Sequence, residues 1–324
     1  MEIISKAKFF DITKQFEFVP YSQTYGWFCF HNCDENGRCV FFIDDVNNPQ
    51  IACFAHTKKA FGLEMLLVEG ECFRKKEYTN SMITAFYKEI GQLPYDMIEI
   101  NSNSAFNFEF EIGIRRAGFL RPVGLFSIPL TIIVPLSEPI EYDRNWKRNL
   151  KKGEQNQFSF EYIVKPTTET IKLFVETYNK LSDYKGFGTK LKEANLFKLL
   201  QEPTMNLFVI KNAEGKPLCL RIIYMRDQEA TDVFAANTLE SRELSATHAM
   251  MDKLFNYLKE RGINNFDFAR ILAGHSTGDS VFLFKNGVRG QKLLYNGEWS
   301  KYKKKIYRPM MYFVKKFLFH RTEI

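Results

Sequence analysis

The stretch 281–290, VFLFKNGVRG, places a single lysine directly after four apolar residues. This pattern predicts a buried strand that ends at Lys285, with Gly287 and Gly290 loosening the chain after it. A buried ammonium group without a partner is costly or loses its proton. Lys285 therefore either marks the point where the strand meets water or is held there to meet an anion.

Two charged residues lie on another predicted strand, within GINNFDFARI (262–271). Strict alternation puts Asp267 and Ala269 on one face and Arg270 on the other. Asp267 could accept a proton or position a substrate amine, and Arg270 could bind substrate. The alternative is structural, with Asp267 paired to Arg270 or to a backbone turn.

Arg221 and His275 are two further candidates for substrate binding. Arg221 interrupts the apolar strand LCLRIIYM, and a buried arginine requires an anion. An internal salt bridge to Asp232 is favoured over a substrate phosphate. His275, in the loop ILAGHSTGDS, is a candidate general base at neutral pH, although most loop histidines have no such role.

Positive charge is concentrated in two segments of a chain whose net charge is +7. The segment 144–152, RNWKRNLKK, predicts a helix with a basic face that could bind RNA phosphates or could simply be solvated. The residues of this patch are Arg144, Lys147, Arg148 and Lys151. The second segment, KYKKKIYRPMMYFVKKFLFHR, mixes lysines with aromatic residues and could contact an anionic membrane or pack back on the first domain.

The cysteines do not predict a metal site. Cys29, Cys33 and Cys39 lie close together with His31 between the first two, but the CxxC pairing of structural zinc sites is missing. We therefore expect no metal and reduced thiols. No apolar run reaches the length of a membrane-spanning helix and no secretion signal is evident, so a cytoplasmic location is expected, with the inner face of the membrane as a variant.

The order of predicted elements indicates an α+β protein, an α/β sandwich of two domains. Strands and helices alternate up to the strand TIIVPLSEP (131–139), after which the basic helix begins. We place the first domain at 1–141, the second at 142–304 and a basic aromatic segment at 305–324, expected to pack on the first domain. In the second domain three strands, a long helix (245–262) and one more strand follow in the core order of the GNAT acyltransferase fold.

Five stretches together resemble the FemAB family of peptidoglycan-bridge aminoacyltransferases and the BioF2-like members of the GNAT superfamily. They lie in the family's order and cover nearly the whole chain: PYSQTYGWF (20–28), AGFLRPVGLFSIPLTIIVPLSEP (117–139), NWKRNLKKGEQNQFSFEYI (145–163), GINNFDFARI (262–271) and FLFKNGVRG (282–290). Each motif alone is weak, and the resemblance rests on their order and spacing.

The resemblance implies two tandem GNAT-like domains, each a mixed, mostly antiparallel sheet flanked by helices, with the first degenerate. It implies transfer of an aminoacyl group from charged tRNA to an amine of a peptidoglycan precursor peptide, or of an acyl group from acyl-CoA in some relatives. These donors are co-substrates, and no tightly bound cofactor is expected. The acceptor would be an anionic, nucleotide-linked or lipid-linked precursor. Phe284 and Lys285 would lie at the reaction centre, with the lysine stabilising negative charge.

The chain also departs from the family pattern. Ala269 and Arg270 stand where the family commonly has glycines, and Lys185 in YKGFG is nearest to its phosphate-binding arginine. The stretch LESRELSAT (239–247) contains no glycine, which weakens an ordinary CoA-binding loop. Two alternatives therefore stay open: an acyl-CoA-dependent N-acyltransferase, and a non-catalytic module that binds RNA or an anionic membrane.

Overall fold

The computed structural model describes residues 1–33, 37–122, 130–185, 189–271 and 280–318. The chain forms two compact units. The first unit comprises Met1–Phe28, Asn32–Leu130 and Leu293–Ile324, and the second comprises Cys29–His31 and Thr131–Lys292. Within the described ranges, no helix is both long enough and apolar enough to cross a bilayer.

The strands, in chain order, are β1 (Glu2–Ile4), β2 (Cys39–Ile43), β3 (Ile51–Ala60), β4 (Leu63–Val68), β5 (Cys72–Phe73), β6 (Met97–Ala105), β7 (Leu130–Pro135), β8 (Ser159–Ile163), β9 (Met205–Lys211), β10 (Pro217–Arg226), β11 (Glu229–Asn237), β12 (Asn265–Asp267) and β13 (Gln291–Tyr302). The helices are α1 (Lys6–Thr13), α2 (Tyr25–Phe30), α3 (Asn80–Ile90), α4 (Phe108–Arg116), α5 (Arg144–Glu154), α6 (Thr168–Lys185), α7 (Glu193–Leu199), α8 (Leu239–Glu243), α9 (Ala246–Glu260), α10 (Ser280–Asn286) and α11 (Tyr307–Leu318).

The sheet of the first unit has the order β1-β2-β3-β4-β6-β13, with β5 paired to β3. Its described neighbours are antiparallel except for β4 and β6, which are parallel. The helix α3 connects this parallel pair. Thr79 caps it by accepting a hydrogen bond from the Met82 amide, and its buried face includes Ile83, Phe86 and Ile90.

The sheet of the second unit has the order β7-β12-β11-β10-β9-β8. Again the described pairs are antiparallel except one, β11 with β12, and the helix α9 connects the two. The α9 face that packs on the sheet includes Met250, Leu254 and Leu258, all fully buried. Both units therefore have the predicted architecture, a mostly antiparallel mixed sheet with helices, and the α+β class is confirmed.

The course of the chain differs from the predicted domain limits of 1–141, 142–304 and 305–324. The strand β7, expected to end the first domain, pairs antiparallel with β12 in the second unit. The strand β13, expected in the second domain, pairs antiparallel with β6 in the first. Strand pairing is long-range, so the sequence shows that these strands exist without showing where they pair.

The helix α11 lies in the first unit. Met311 on this helix is buried together with Leu63, Met65 and Met97 of the sheet. Phe313 and Phe317, by contrast, are 56% and 63% exposed and stack on each other with centroids 6.1 Å apart. This helix therefore has one buried face and one exposed aromatic face.

Candidate functional site

The two parallel strands of the second unit part beyond their third residue pair. Thr231 on β11 is opposite Asp267 on β12, the last pair in their register. The strand β11 continues to Asn237, while the Phe268 amide bonds instead to the Ile132 carbonyl on β7. We name this place, between Asp232 on β11 and Phe268 after β12, the strand fork. Ligands of α/β proteins commonly bind where parallel strands end and part.

Lys285 reaches the strand fork from the helix α10. Its Nζ donates a hydrogen bond of 2.5 Å to the Phe268 carbonyl and lies 5.7 Å from the centroid of the Phe268 ring. Its side chain is half-buried. The lysine is therefore fixed at the carboxyl end of β12.

The segment that carries Lys285 is a helix, and the prediction of a strand over 281–285 was wrong. The run VFLF is rich in residues that favour strands, but propensity is weak beside packing. Here Phe282 and Phe284 pack against the core of the second unit while Leu283 is 53% exposed. This alternation also fits a strand, and the helix is defined instead by its backbone, in which the Gly287 amide donates to the Leu283 carbonyl at 3.0 Å.

Phe284 is anchored by aromatic contacts to two other helices. Its ring centroid lies 5.8 Å from that of Trp146 on α5 and 5.1 Å from that of His248 on α9. The Trp146 indole N–H also donates to the Phe284 carbonyl, at 3.1 Å. This packing holds α10, and with it Lys285, in place.

Gly287 is required by the same contact. A Cβ at this position would lie 2.7 Å from Cδ1 of Trp146, which is too close for any side chain. The Gly287 carbonyl also accepts a hydrogen bond of 2.8 Å from the Asp143 amide at the start of α5. The pattern Phe284-Lys285-x-Gly287 thus has a physical explanation. The phenylalanine packs on α5 and α9, the lysine reaches the end of β12, and the glycine leaves room for the Trp146 ring.

Asp267 supports the backbone at the strand fork. Its Oδ1 accepts a hydrogen bond of 2.7 Å from the Ala269 amide and another from the Thr131 hydroxyl. Ala269 has φ of 55°, a left-handed conformation that favours glycine. Ala269 thus has a glycine-like conformation, and Asp267 stabilises it. This contact favours the backbone-turn role over a proton-accepting one.

Arg221 and Asp232 form the internal salt bridge that the sequence favoured. Their side chains are 4% and 6% exposed, and Nη1 of Arg221 contacts Oδ2 of Asp232. Within the described residues, Nε of Arg221 and Oδ1 of Asp232 have no hydrogen-bond partner. Asp232 is the first β11 residue beyond the pairing with β12, so this ion pair lies at the strand fork.

His248 is a candidate residue that the sequence analysis missed. It lies in the first turn of α9, with its ring 4.9 Å from the Trp146 ring and 5.1 Å from the Phe284 ring. Burial lowers its pKa to about 4, and the nearby Asp143 carboxylate opposes this shift. The imidazole is therefore neutral at neutral pH. Nothing in its sequence context, HAMMDKL, distinguishes it from an ordinary helix residue.

The basic residues of α5 form an exposed face. Trp146 is buried on the inner side, and Asp143 caps the helix by accepting from the Trp146 amide at 2.7 Å. The side chains on the outer side, all exposed, are Arg144, Lys147, Arg148, Lys151 and Lys152. A cationic stripe is therefore present on the helix that anchors Phe284.

The remaining predicted binding residues are only partly described. Arg270 is half-buried and follows Ala269 directly. His275 and the side chain of Lys185 lie outside the described residues, although Lys185 itself ends the helix α6. The roles expected for these three residues stay predictions.

The stretch before α9 is helical and does not form an extended glycine loop. Residues of LESRELSAT form α8, which Thr238 caps by accepting from the Ser241 amide. Ser245 then turns the chain into α9 with φ of 55° and provides no side-chain cap. Phosphates bind readily to glycine-rich loops at helix starts, and here a helix takes that place.

The Gln-x-x-x-Trp motif near the N-terminus has a structural role in the first unit. The fully buried Gln23 side chain bonds both backbone groups of Phe54, accepting from its amide at 2.7 Å and donating to its carbonyl at 3.1 Å. The Trp27 indole N–H donates to the Glu69 carboxylate at 2.7 Å. This motif therefore fixes the sheet of the first unit and does not belong to the strand fork.

Comparison with known proteins shows the fold. No protein-family model and no curated protein sequence matches the chain. The solved structure of FemX is similar, with a TM-score of 0.74 and 12% identity over 96% of this chain and 100% of that one. L-PGS from Bacillus licheniformis matches with a TM-score of 0.62 and 16% identity, over 97% of this chain and 96% of its own.

A third similar structure is the C-terminal domain of a putative lysylphosphatidylglycerol synthetase from Agrobacterium fabrum. Its TM-score is 0.55 and its identity 11%, over 89% of this chain and 92% of that one. The resemblance to the FemAB-like group is thus confirmed at the level of fold.

Proposed function

We propose that this protein is an aminoacyltransferase whose second unit moves an aminoacyl group from a tRNA ester to an amine. The observation that carries the proposal is the position of Lys285, whose ammonium is bonded to the carboxyl end of β12 at the strand fork. The sequence resemblance and the FemX-like fold support it. Lys285 is the residue that the resemblance assigns to the reaction centre.

The chemistry at Lys285 is electrostatic. The acceptor amine attacks the ester carbonyl, and the carbonyl oxygen becomes an oxyanion in the tetrahedral intermediate. A preorganised ammonium group in a half-buried site stabilises that charge. The ester C–O bond then breaks, and the ribose oxygen leaves with the proton that the amine has lost. Asp267 and Phe284 act as positioning residues, because their contacts hold the backbone and the helix that fix Lys285.

The structure of the stretch before α9 favours an RNA ester over a CoA thioester. The helix α8 lies where a CoA-type donor would need a phosphate-binding loop. The exposed cations of α5 offer an alternative contact for phosphates, along the backbone of tRNA. An acyl-CoA-dependent reaction is therefore the second candidate.

For the acceptor we propose an amine on a peptidoglycan precursor, as the resemblance implies. The name of the Agrobacterium protein points to a different acceptor, phosphatidylglycerol, for a chain of similar fold. A lipid-linked acceptor would place the enzyme at a membrane. The helix α11 offers a surface for this, with exposed Phe313 and Phe317 and exposed lysines before it.

The test is a transfer assay with labelled aminoacyl-tRNA, given either a UDP-linked muramyl peptide or phosphatidylglycerol vesicles, and a parallel assay with acetyl-CoA. We expect label on the muramyl peptide. Lys285→Ala should lower kcat by about 10²–10³-fold, the usual effect of losing an oxyanion-stabilising group. Lys253→Ala, which removes an exposed lysine of α9, is the matched control and should leave the rate unchanged.

Other outcomes would replace the proposal. Label on the vesicles alone would assign a lipid acceptor, and turnover with acetyl-CoA alone would assign the acyl-CoA reaction. Salt-sensitive tRNA binding without turnover in any assay would indicate a non-catalytic module.

A further inference from the structure

Three side chains with metal-ligand atoms meet in the first unit. The sulfur atoms of Cys33 and Cys39 lie 3.3 Å and 3.4 Å from Nδ1 of His56. One ligand atom from each residue falls within 4.8 Å of the other two. Cys33 is buried, and the other two are half-buried.

The local fold brings these residues together. Cys39 and His56 are directly opposite each other in the antiparallel pairing of β2 with β3, where cross-strand side chains are neighbours. Cys33 comes from the turn after α2, which Asn32 makes with φ of 53°. Asparagine is one of the few residues that tolerate this conformation.

We propose that Cys33, Cys39 and His56 bind a zinc ion. Two thiolates and an imidazole are a ligand set that zinc prefers. In a tetrahedral zinc site, with bonds of about 2.3 Å to sulfur and about 2.0 Å to nitrogen, the nitrogen lies roughly 3.5 Å from each sulfur. The two sulfur-to-Nδ1 distances are close to this value. The two sulfurs, which a disulfide joins in this structure, must separate to roughly 3.8 Å before both can bind the ion. The fourth position of the ion accepts a water.

Binding competes with oxidation of the same cysteines. The structure joins Cys33 and Cys39 as a disulfide, and a disulfide offers no thiolate to a metal. In the reduced protein, each thiol gives up its proton and its sulfur bonds to zinc, so two protons are released for each ion bound. The site is therefore a property of the reduced protein.

The spacing of the cysteines alone does not predict this site, because the third ligand is not in their segment. His56 follows Cys39 by 17 residues and reaches it through the pairing of β2 with β3. His31, which lies closer to the cysteines in the sequence, is not one of the three proposed ligands. Zinc would connect the turn after α2 to the first strands of the sheet.

The experiment is a Co²⁺ titration of the full chain after reduction and removal of the reductant under anaerobic conditions. We expect one equivalent to bind, with visible bands of tetrahedral Co²⁺ and near-ultraviolet thiolate charge transfer, both abolished by Zn²⁺. Protein oxidised with diamide should show neither signal. Cys39→Ser and His56→Phe should each lose most of the charge-transfer band or weaken binding at least about tenfold, while Cys219→Ser, a buried thiol of the second unit, should bind as the wild type does.

A second measurement does not depend on the variants folding. In the reduced wild type, Zn²⁺ should slow alkylation of Cys33 and Cys39 by iodoacetamide, read by mass spectrometry, and leave Cys29 unaffected. Absence of both the cobalt bands and this protection, in protein whose thiols are shown to be reduced, would overturn the proposal and leave a redox-active cysteine pair only.

Discussion

Lys285 is held by its own hydrogen bond at the end of β12 and by contacts that its neighbour Phe284 makes with two helices, α5 and α9. Its own bond is to the Phe268 carbonyl, while Phe284 packs on Trp146 and His248. A side chain fixed in this way loses little further freedom when a substrate arrives, and this preorganisation makes an ammonium group effective in catalysis.

His248 should make the stability of the protein depend on pH. Its pKa of about 4 in the folded chain lies below the ordinary value of 6.5. As the pH falls from 6.5 toward 4, the unfolded chain binds a proton that the folded chain does not, so the free energy of unfolding decreases. The loss is at most about 3 kcal/mol and is absent above pH 6.5.

Urea unfolding of the wild type and His248→Phe at a series of pH values measures this effect. The variant has no imidazole at position 248, so its free energy of unfolding should lack this dependence on pH. The difference between the free energies of unfolding of the two proteins should therefore change between pH 6.5 and 4. A difference that stays constant over this range would contradict the burial of a neutral His248.

At the level of single residues, the sequence predicts a contact when burial of a charged group requires a partner of opposite charge. The pairing of Arg221 with Asp232 is predictable because a buried guanidinium must meet an anion on a neighbouring strand. The contacts of His248 and His56 depend on helix packing and strand register, which no local pattern encodes. The bond from Asp267 to the Ala269 amide was one of several open alternatives for the same reason.

Among the elements, α5 combines an anchoring face with a charged one. Trp146 on its inner side contacts Phe284. On its outer side, the exposed side chains of the first turns are all polar or basic. The amphipathic pattern predicts this helix well. The strand-like composition of α10 misleads, because seven residues contain too few turns for a helical period to be recognised.

If α5 binds tRNA, its lysines should set the salt dependence of binding. Replacing two of them, Lys147→Gln with Lys151→Gln, should lower the slope of log Kd against log salt by about 1 to 2. The matched control replaces two exposed lysines of α6, Lys172→Gln with Lys180→Gln, and should keep the slope. Filter binding between low and moderate salt gives both values, and equal slopes would exclude α5 from the RNA contact.

The exposed aromatic face of α11 should bind anionic vesicles. Phe313→Ser with Phe317→Ser should weaken sedimentation with phosphatidylglycerol vesicles by about tenfold or more, because two aromatic side chains no longer leave water. Phe197→Ser, which replaces a phenylalanine that is 48% exposed in the second unit, is the control. Binding that is insensitive to the double change would remove α11 as the membrane surface.

On the scale of the whole molecule, each sheet is completed by a strand from a distant part of the sequence. The first unit requires β13, which carries the fully buried Trp299, and the second requires β7. The helices, hairpins and α+β class follow from local patterns. The exchange of strands between the two units does not follow from local patterns. Alternation of apolar and polar residues shows which face of a strand is buried but does not show which strand it pairs with.

A chain cut at the sequence-based boundary should therefore not fold. Residues 1–141 lack β13, so the edge of β6 and the core around Trp299 would be left open. Residues 1–130 joined through a flexible linker to 291–318 contain every strand of the first unit and should unfold cooperatively. Circular dichroism during heating distinguishes the two, and a cooperative transition in the 1–141 fragment would contradict this assignment of β13.

The late arrival of β13 also has a consequence for biosynthesis. A ribosome makes the first unit's other strands early, but it must translate the entire second unit before Gln291–Tyr302 emerges. Throughout that interval the β6 segment lacks its partner β13, and an unpaired strand segment of an incompletely folded chain is a template for unwanted pairing with another nascent chain. Its sequence, MIEINSNSA, is apolar at one end and rich in serine and asparagine at the other. Slow elongation through the second half of the message should therefore increase aggregation more than slow elongation through the first.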